Sequence, residues 1–162
     1  MKRYQEYKDS GIEWSKVIPT HWQVMQLGRI GRFSASGIDK KSDPDELPVR
    51  MVNYTDVYGN RSLEISSFDC LMETTAIAEK ITEHSLKIGD ILFTPSSETE
   101  KDIGVSAVVT KNLNKAVYSY HLIRFRPYIH FELFLRFRKY FCNSHEVLSQ
   151  FSKLCKGTTR QI

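Results

Sequence analysis

The stretch LKIGDILFT, residues 86–94, decides the fold of this chain. Its glycine–aspartate pair at 89–90 is typical of a tight turn, and the apolar run that begins at Ile91 predicts a buried β-strand. The polar segment PSSETEKD, residues 95–102, follows and predicts a loop. Beyond it, the Val-rich run GVSAVVT, residues 104–110, predicts another strand. Two strands joined by an exposed loop indicate a sheet at the centre of the chain.

Strand and loop signals continue on the N-terminal side of this stretch. Residues 49–54 alternate apolar and polar and predict a strand, which residues 55–58 extend up to a Gly-Asn turn. The polar stretch 34–48 contains a glycine, a proline and clustered Asp and Lys, so it predicts an exposed loop. Residues 23–33 fit either a short helix or a strand, and residues 75–84 have helical composition.

The C-terminal side changes character. Residues 116–125 predict one more strand, which Pro127 ends. Aromatic and aliphatic residues then crowd positions 131–141 with helical spacing, and residues 145–154 present a second apolar helical face. We therefore predict an α+β fold: a single domain with a central, mostly antiparallel sheet and C-terminal helices.

Composition is that of a soluble globular protein. The 162 residues suit one compact domain, with 41% hydrophobic and 26% charged residues. No apolar run approaches the ~18 residues of a membrane span, and the N-terminus lacks the apolar segment of a signal peptide. We expect a cytoplasmic protein without membrane contact.

The three cysteines predict free thiols rather than disulfides. Cys70, Cys142 and Cys155 are odd in number and widely spaced, and no Cys-x-x-Cys pair occurs. Cys142 and His145 can share a helix face, but a structural zinc site takes about four ligands. Buried or half-buried thiols are therefore the favoured interpretation, and we predict no metal site and no cofactor.

Charge is distributed unevenly along the chain. The net charge is +4, but residues 1–100 carry 12 basic and 16 acidic side chains, whereas residues 101–162 carry 11 basic and 3 acidic ones. This asymmetry fits a polyanion on one side of the domain, and it fits equally a solvated helix face with a basic bias.

No catalytic motif is found. The only Pro-Asp pair, at residues 44–45, has no acidic residue after it with lysine two positions on, as a common metal-dependent nuclease requires. The chain lacks a phosphate-binding P-loop and the Asn/Asp-Pro-Pro-aromatic motif of amino-methyltransferases. A serine near His84 or His121 would lack the Gly-x-Ser-x-Gly elbow of a hydrolase. We therefore predict no catalytic residues and a binding module rather than an enzyme.

Residues 3–22 resemble the N-terminal lead-in of the specificity subunits of type I restriction–modification systems. They read RYQEYKDSGIEW, followed by an Ile-Pro pair at 18–19 and a tryptophan at 22. Ser15 and Lys16 depart from the usual Leu or Ile and Gly. Four further segments are similar to the same family, at residues 52–58, 86–92, 96–99 with 102–104, and 156–160.

The resemblance implies a function. Such a subunit carries two target recognition domains, separated by long helices, and each domain reads one half of a split DNA site. By this resemblance, residues 1–22 are a lead-in arm, residues 23–156 the recognition domain, and residues 157–162 the start of a truncated spacer helix. The implied partners are double-stranded DNA, the methyltransferase (modification) subunits, indirectly the restriction/translocase subunit, and a second recognition half.

A recognition domain would bind phosphates with Lys and Arg and read base edges with polar side chains held on loops. The predicted DNA-binding residues are Lys40 and Lys41 in the first loop, Arg61 after the Gly-Asn turn, Ser96, Ser97, Thr99 and Lys101 in the second loop, Lys111 and Lys115 beside the Asn112 turn, and Lys156, Thr158, Thr159 and Arg160 at the C-terminal exit.

Several of these residues have a purely structural alternative. The two lysines of the first loop stand among aspartates and fit a solvated loop, the two serines fit turn residues, and the exit cations fit support of the spacer helix. The basic residues Arg136, Arg138 and Lys139 stand among aromatics, as in single-strand binding, but helix-face packing with solvated tips is favoured.

Two other classes of function stay open. One is a protein-interaction domain that uses residues 131–154 as an apolar docking surface. The other is an unrecognised nuclease, for which Glu98 and Asp102 are the residues to test. RNA binding has less support, because the aromatic motifs of known RNA-binding modules are missing.

Overall fold

The computed structural model describes residues 4–13, 15–99, 102–129 and 135–156. In this part of the chain short strands come first and the longer helices last. The strands are β1 (Tyr7–Asp9), β2 (Val17–Pro19), β3 (Gly31–Ala35), β4 (Leu47–Val52), β5 (Glu64–Ile65), β6 (Met72–Ala76), β7 (Ile91–Phe93), β8 (Ser106–Val109), β9 (Ala116–Tyr118) and β10 (Ile123–Pro127). The helices are α1 (Leu27–Ile30), α2 (Tyr54–Tyr58), α3 (Ala78–His84), α4 (Leu135–Cys142) and α5 (His145–Leu154).

The strands form three sheets, and most neighbours are antiparallel. The largest has the order β3-β10-β7-β8-β5, in which only the β5–β8 pair is parallel. The second has the order β6-β4-β9, in which β4 and β9 are parallel. Strands β1 and β2 form a separate hairpin. The predicted class, an α+β domain with mostly antiparallel sheets and C-terminal helices, is confirmed.

Two elements differ from the sequence prediction. Residues 54–58 are a helix rather than the end of a strand, because the carboxylate of Asp56 accepts a hydrogen bond from the backbone N–H of Asn53 and closes the first turn (2.7 Å). The run 116–125 is not one strand: a turn at 119–122 divides it, with a 3.0 Å hydrogen bond from the N–H of Leu122 to the carbonyl of Ser119. Consequently β9 and β10 belong to different sheets.

The core is divided into three apolar clusters. The largest lies between the two main sheets and includes Leu92, Tyr118 and Leu122, each with no solvent exposure. A second joins β7, β8 and β10 to α4 and α5 through Phe93, Cys142 and the half-buried Phe151. The apolar sides of α4 and α5 pack against this sheet through these residues, with Cys142 of α4 buried and Phe151 of α5 half-buried.

Tyr118 links the two sheets by hydrogen bonds. Its hydroxyl lies 2.9 Å from Ser34 Oγ and donates to the carbonyl of Ser34 (3.1 Å). The backbone carbonyl of Tyr118 accepts from Ser36 Oγ (2.5 Å). A strand of the smaller sheet is therefore tied at two points to β3 and the residue that follows it.

The cysteines are free thiols, as predicted. Cys142 is buried and Cys70 is exposed. Burial raises the pKa of the Cys142 thiol to about 12. No helix of the described residues combines the length and apolar character that crossing a bilayer requires.

Truncating a side chain at the centre of the larger sheet tests this packing. We expect Leu92→Ala to lower the free energy of unfolding by about 2–5 kcal/mol, because Leu92 is fully buried and the neighbouring side chains cannot fill the cavity. Urea unfolding measures the change. The matched control is Ile88→Ala, which removes a side chain that is 52% exposed and should change stability by about 0.5 kcal/mol at most.

Candidate nucleic-acid interface

A concave surface lined by five cationic side chains is the main candidate site. We call it the arginine cleft, and its volume is about 940 Å³. The residues that line it are Arg32, Glu83, Lys87, Ile88, Gly89, Asp90, Asn112, Arg124, Arg126, Pro127, Tyr128, Ile129 and Arg138. Five cations face two carboxylates, so the lining carries a net charge of +3.

The sheet register brings three of these arginines to one side. Arg124 and Arg126 are two residues apart on β10, so their side chains leave the same face of the sheet. The antiparallel partner of Arg126 on β3 is Arg32. Like charges at directly opposed positions repel each other, so this pairing needs an opposite charge nearby.

Asp90 supplies that opposite charge. Its side chain is 1% exposed, and its two carboxylate oxygens accept from Nε and Nη2 of Arg126 at 2.6 and 2.7 Å. The hydrogen bond with Asp90 raises the pKa of Arg126. The carboxylate also accepts from the backbone N–H of Lys87 (2.9 Å) and so closes the turn before β7. One buried carboxylate therefore fixes both an arginine and a turn of the cleft.

The turn before β7 requires glycine at position 89. Its φ of +89° lies in the left-handed region that L side chains rarely adopt. Its carbonyl accepts a 2.5 Å hydrogen bond from Nη1 of Arg138, and a Cβ at position 89 would overlap the same guanidinium. The hydrogen bond from Arg138 to this turn thus attaches α4 to the cleft.

Arg124 forms the buried floor of the cleft and is 5% exposed. Its Nη1 donates to the carbonyls of Glu83 and Ser85 at 3.2 and 3.3 Å, and its guanidinium carbon lies 5.3 Å from the centroid of the Tyr118 ring. Its Nε is buried without a hydrogen-bond partner among the described residues. Burial lowers the pKa of Arg124 and of Arg138, which remain cations at neutral pH.

The rim of the cleft differs from its floor. Lys87 and Arg32 are exposed, and the described residues offer neither side chain a hydrogen-bond partner. Ile129 is fully exposed, and the side-chain oxygen of Asn112 accepts from the N–H of Ile88 (3.0 Å). Two exposed cations above a fixed arginine floor can meet a ligand with more than one negative charge.

None of the sequence-predicted DNA-binding residues that the structure describes lines the cleft. Lys111 adjoins Asn112, which lines it, and Lys111 is exposed. Lys115 is exposed in the turn from Leu113 to Ala116, with a φ of +63°, and its carbonyl accepts from the N–H of Arg50 on β4 of the smaller sheet (3.0 Å). Lys101, Thr158, Thr159 and Arg160 lie outside the described residues.

The predicted residues of the first loop lie elsewhere. Lys40 and Lys41 are exposed in the segment 36–46, which runs beside β6: Thr74 Oγ1 donates to the carbonyl of Lys40 (3.4 Å), and the N–H of Asp43 donates to Thr75 Oγ1 (2.7 Å). We call residues 36–46 the acidic loop, because its two lysines are outnumbered by four carboxylates. These are Asp39, Asp43, Asp45 and Glu46.

The second predicted loop is closed by its own hydrogen bonds. Ser97 is buried, and its Oγ accepts from the N–H of Thr99 (3.3 Å), as the turn interpretation expects. Thr99 Oγ1 donates to Asp102 (2.6 Å), and a hydrogen bond with Asp102 raises the pKa of Tyr58 on α2. This loop leaves β7 at Phe93, the opposite end of the strand from the Gly89 turn. Ser96 is half-buried beside it.

The remaining candidates are dispersed. Arg61 is exposed after α2, and Lys156 is exposed after α5. Among the basic residues of α4, Arg138 donates to the Gly89 carbonyl and Lys139 pairs with Glu64 at 2.7 Å, so the tips of both side chains are bound to the domain rather than solvated. In the described part of the chain no group of three His, Cys, Asp or Glu is placed to hold a metal ion.

Four cations of the cleft were not predicted from the sequence, namely Arg32, Lys87, Arg124 and Arg126. The Arg-Phe-Arg alternation at 124–126 was a local signal, since two cations on one face of a strand require a partner on that face. The pairing of Arg126 with Arg32 depends on a strand register that no short pattern encodes.

A histidine beneath the cleft makes the fold sensitive to acid. His84 is 6% exposed, and its Nδ1 lies 3.1 Å from the Tyr118 hydroxyl. Burial lowers the pKa of His84 below the usual 6.5, Glu83 opposes this shift, and Arg124, Lys80 and Arg126 add to it. The unfolded chain therefore takes up a proton at a higher pH than the folded chain.

The expected result is a loss of stability in mild acid. The contribution of neutral His84 is fully present above pH 6.5 and is lost as the pH falls from there through the lowered pKa of the folded state. Urea unfolding between pH 5 and pH 8 measures it. In His84→Gln the dependence of stability on pH should flatten in this window, and an unchanged profile in this variant contradicts the assignment.

A second test concerns the buried ion pair. We expect Asp90→Asn to lower the free energy of unfolding by about 3 kcal/mol, the low end for a broken buried pair, because Arg126 keeps 29% exposure. Chemical denaturation measures this. The matched control is Glu73→Gln, which breaks the exposed pair with Arg50 and should cost about 1 kcal/mol or less. Equal effects of the two substitutions would contradict a structural role for Asp90.

Comparisons with known proteins give a match of fold. A solved structure of the HsdS subunit from Thermoanaerobacter tengcongensis superposes with a TM-score of 0.54 and 16% sequence identity over 91% of this chain. The chain covers 32% of the HsdS subunit, about a third of its length. The chain thus shares its fold with about a third of that HsdS subunit. No protein-family model matches the chain, and no curated protein matches it by sequence.

Proposed function

We propose that this chain is a sequence-specific module that binds double-stranded DNA, reads one half of a bipartite target site and directs modification and restriction subunits to it. The supporting observation is the fold shared with an HsdS subunit over 91% of the chain. The resemblance of residues 3–22 to specificity subunits also supports the proposal. These residues do not line the arginine cleft.

In this proposal the chain is itself non-catalytic. It positions DNA, and the methyltransferase subunits perform the adenine methylation. A second recognition half reads the other part of the site. The net charge of +3 on the cleft lining is consistent with a polyanionic ligand, whose phosphates supply most of the affinity of such complexes. Among the DNA-binding residues proposed from the sequence, Lys111 adjoins Asn112 of the cleft lining.

Selection from a random duplex library tests the proposal. The chain is immobilised, incubated with duplexes at low salt and washed, and the retained DNA is sequenced. We expect one short motif to be enriched, because sequence is read by contacts to base edges in addition to the phosphate contacts. Retention of DNA without any enriched motif, or no retention at all, would contradict sequence-specific binding.

Adenine methylation by a complete complex tests the proposed function. The chain is joined to a second recognition half and co-expressed with a modification subunit, and methylated adenines are mapped in genomic DNA. The motif enriched in the selection should reappear as one half of the methylated site. Replacing this chain by an unrelated recognition domain should change that half alone, and an unchanged methylation pattern would show that this chain does not read DNA.

A protein-interaction domain is the second candidate. The observation that favours it is the outer face of α4, where Phe137 and Tyr140 are 56% and 63% exposed. This candidate predicts no retention of duplex DNA. The nuclease candidate predicts cleavage of plasmid in Mg²⁺ or Mn²⁺ that is lost on substitution of Glu98 or Asp102.

A further inference from the structure

We propose that the DNA backbone lies on the arginine cleft, with Arg32 and Lys87 as direct phosphate contacts, and that the acidic loop faces away from the duplex. This inference rests on the proposed function and specifies which surface performs it. It departs from the expectation that the first polar loop, with Lys40 and Lys41, meets the DNA.

Charge separates the two surfaces. The cleft lining has five cations and two carboxylates, and one of those carboxylates, Asp90, is 1% exposed and engaged by Arg126. The acidic loop has two cations and four carboxylates, a net charge of −2. Because a duplex carries one negative charge for about every 1.7 Å of its axis, the acidic loop repels it and the cleft attracts it.

The arginine cleft and the acidic loop also belong to different sheets. No residue of the acidic loop lines the cleft. That loop is fixed beside β6 in the smaller sheet by the hydrogen bonds of Thr74 and Thr75. The cleft lies across β3 and β10 of the larger sheet and the turn that precedes β7. One rigid duplex placed on the cleft therefore need not contact the acidic loop.

The cleft has fixed cations on its floor and exposed cations at its rim. Arg124 and Arg138 are held by carbonyls, so they supply positive charge without losing side-chain freedom on binding, whereas the charge of Arg126 is offset by Asp90. Arg32 and Lys87 are exposed at the rim and have no competing partner among the described residues. In this proposal the rim cations contact the DNA phosphates, and the floor cations increase the positive electrostatic potential of the cleft.

Lys111 adds an exposed cation beside the cleft, because it adjoins Asn112, which lines the cleft. The side-chain oxygen of Asn112 accepts from the N–H of Ile88, and its exposed amide group is a donor that the lining offers to a base edge.

Two matched double variants test the assignment. Arg32→Ala/Lys87→Ala and Lys40→Ala/Lys41→Ala each remove two exposed positive charges, so they change the net charge equally. Binding to a mixed-sequence DNA duplex of about 20 base pairs, roughly two helical turns, is followed by fluorescence anisotropy from about 25 to about 200 mM salt. Thermal melting of each variant checks that the fold is kept.

We expect the cleft variant to weaken binding about tenfold at low salt and to reduce the slope of log Kd against log salt by about 2, because two phosphates are no longer neutralised. The acidic-loop variant should bind as the wild-type chain does. Tighter binding of an RNA duplex of the same length would overturn the assignment to DNA.

The outcomes distinguish the inference from the proposed function. An equal loss in both variants, or a loss only in the Lys40/Lys41 variant, overturns the placement of DNA on the cleft and leaves DNA binding standing. If the wild-type chain binds no duplex at all, the proposed function fails and this inference fails with it.

Discussion

The bidentate ion pair between Asp90 and Arg126 is the interaction on which the candidate site depends. The strand that carries Arg126 places it opposite Arg32, and the Asp90 carboxylate bound to Arg126 offsets the repulsion between the two opposed cations. Asp90 also closes the turn whose glycine receives Arg138 from α4. One buried carboxylate thus joins the central sheet, its entry turn and the C-terminal helices.

Much of the local structure could be predicted from the sequence, because it arises from short patterns. The apolar spacing of residues 145–154 gave a helix with the observed bounds, and the strand at 91–93 followed from an apolar run after a Gly-Asp turn. Helix α2 was missed although its signal was local: Asp56 three residues after Asn53 is a capping pattern, and the alternation before it was extended too far.

The rest could not be predicted because it depends on distant parts of the chain. Whether residues 116–125 form one strand or two is decided by which sheet each half joins, and the two halves join different sheets. The same holds for the cleft, in which β3, β10, the Gly89 turn and α4 each contribute a residue to the lining. Lysines in polar loops are easily found in a sequence. Arginines that are distant in sequence and are brought together by the pairing of strands are found only in the structure.

Because Arg32 and Arg126 are directly opposed in the sheet, dissolved salt has opposite effects on folding and on the proposed binding. Ions that shield Arg32 from Arg126 relieve the repulsion that Asp90 leaves between them and so favour the folded form. The same ions compete with the cleft for any polyanion. A buffer that favours the folded form is therefore one that weakens the binding proposed for the cleft, and conditions for storage and for assays have to be chosen separately.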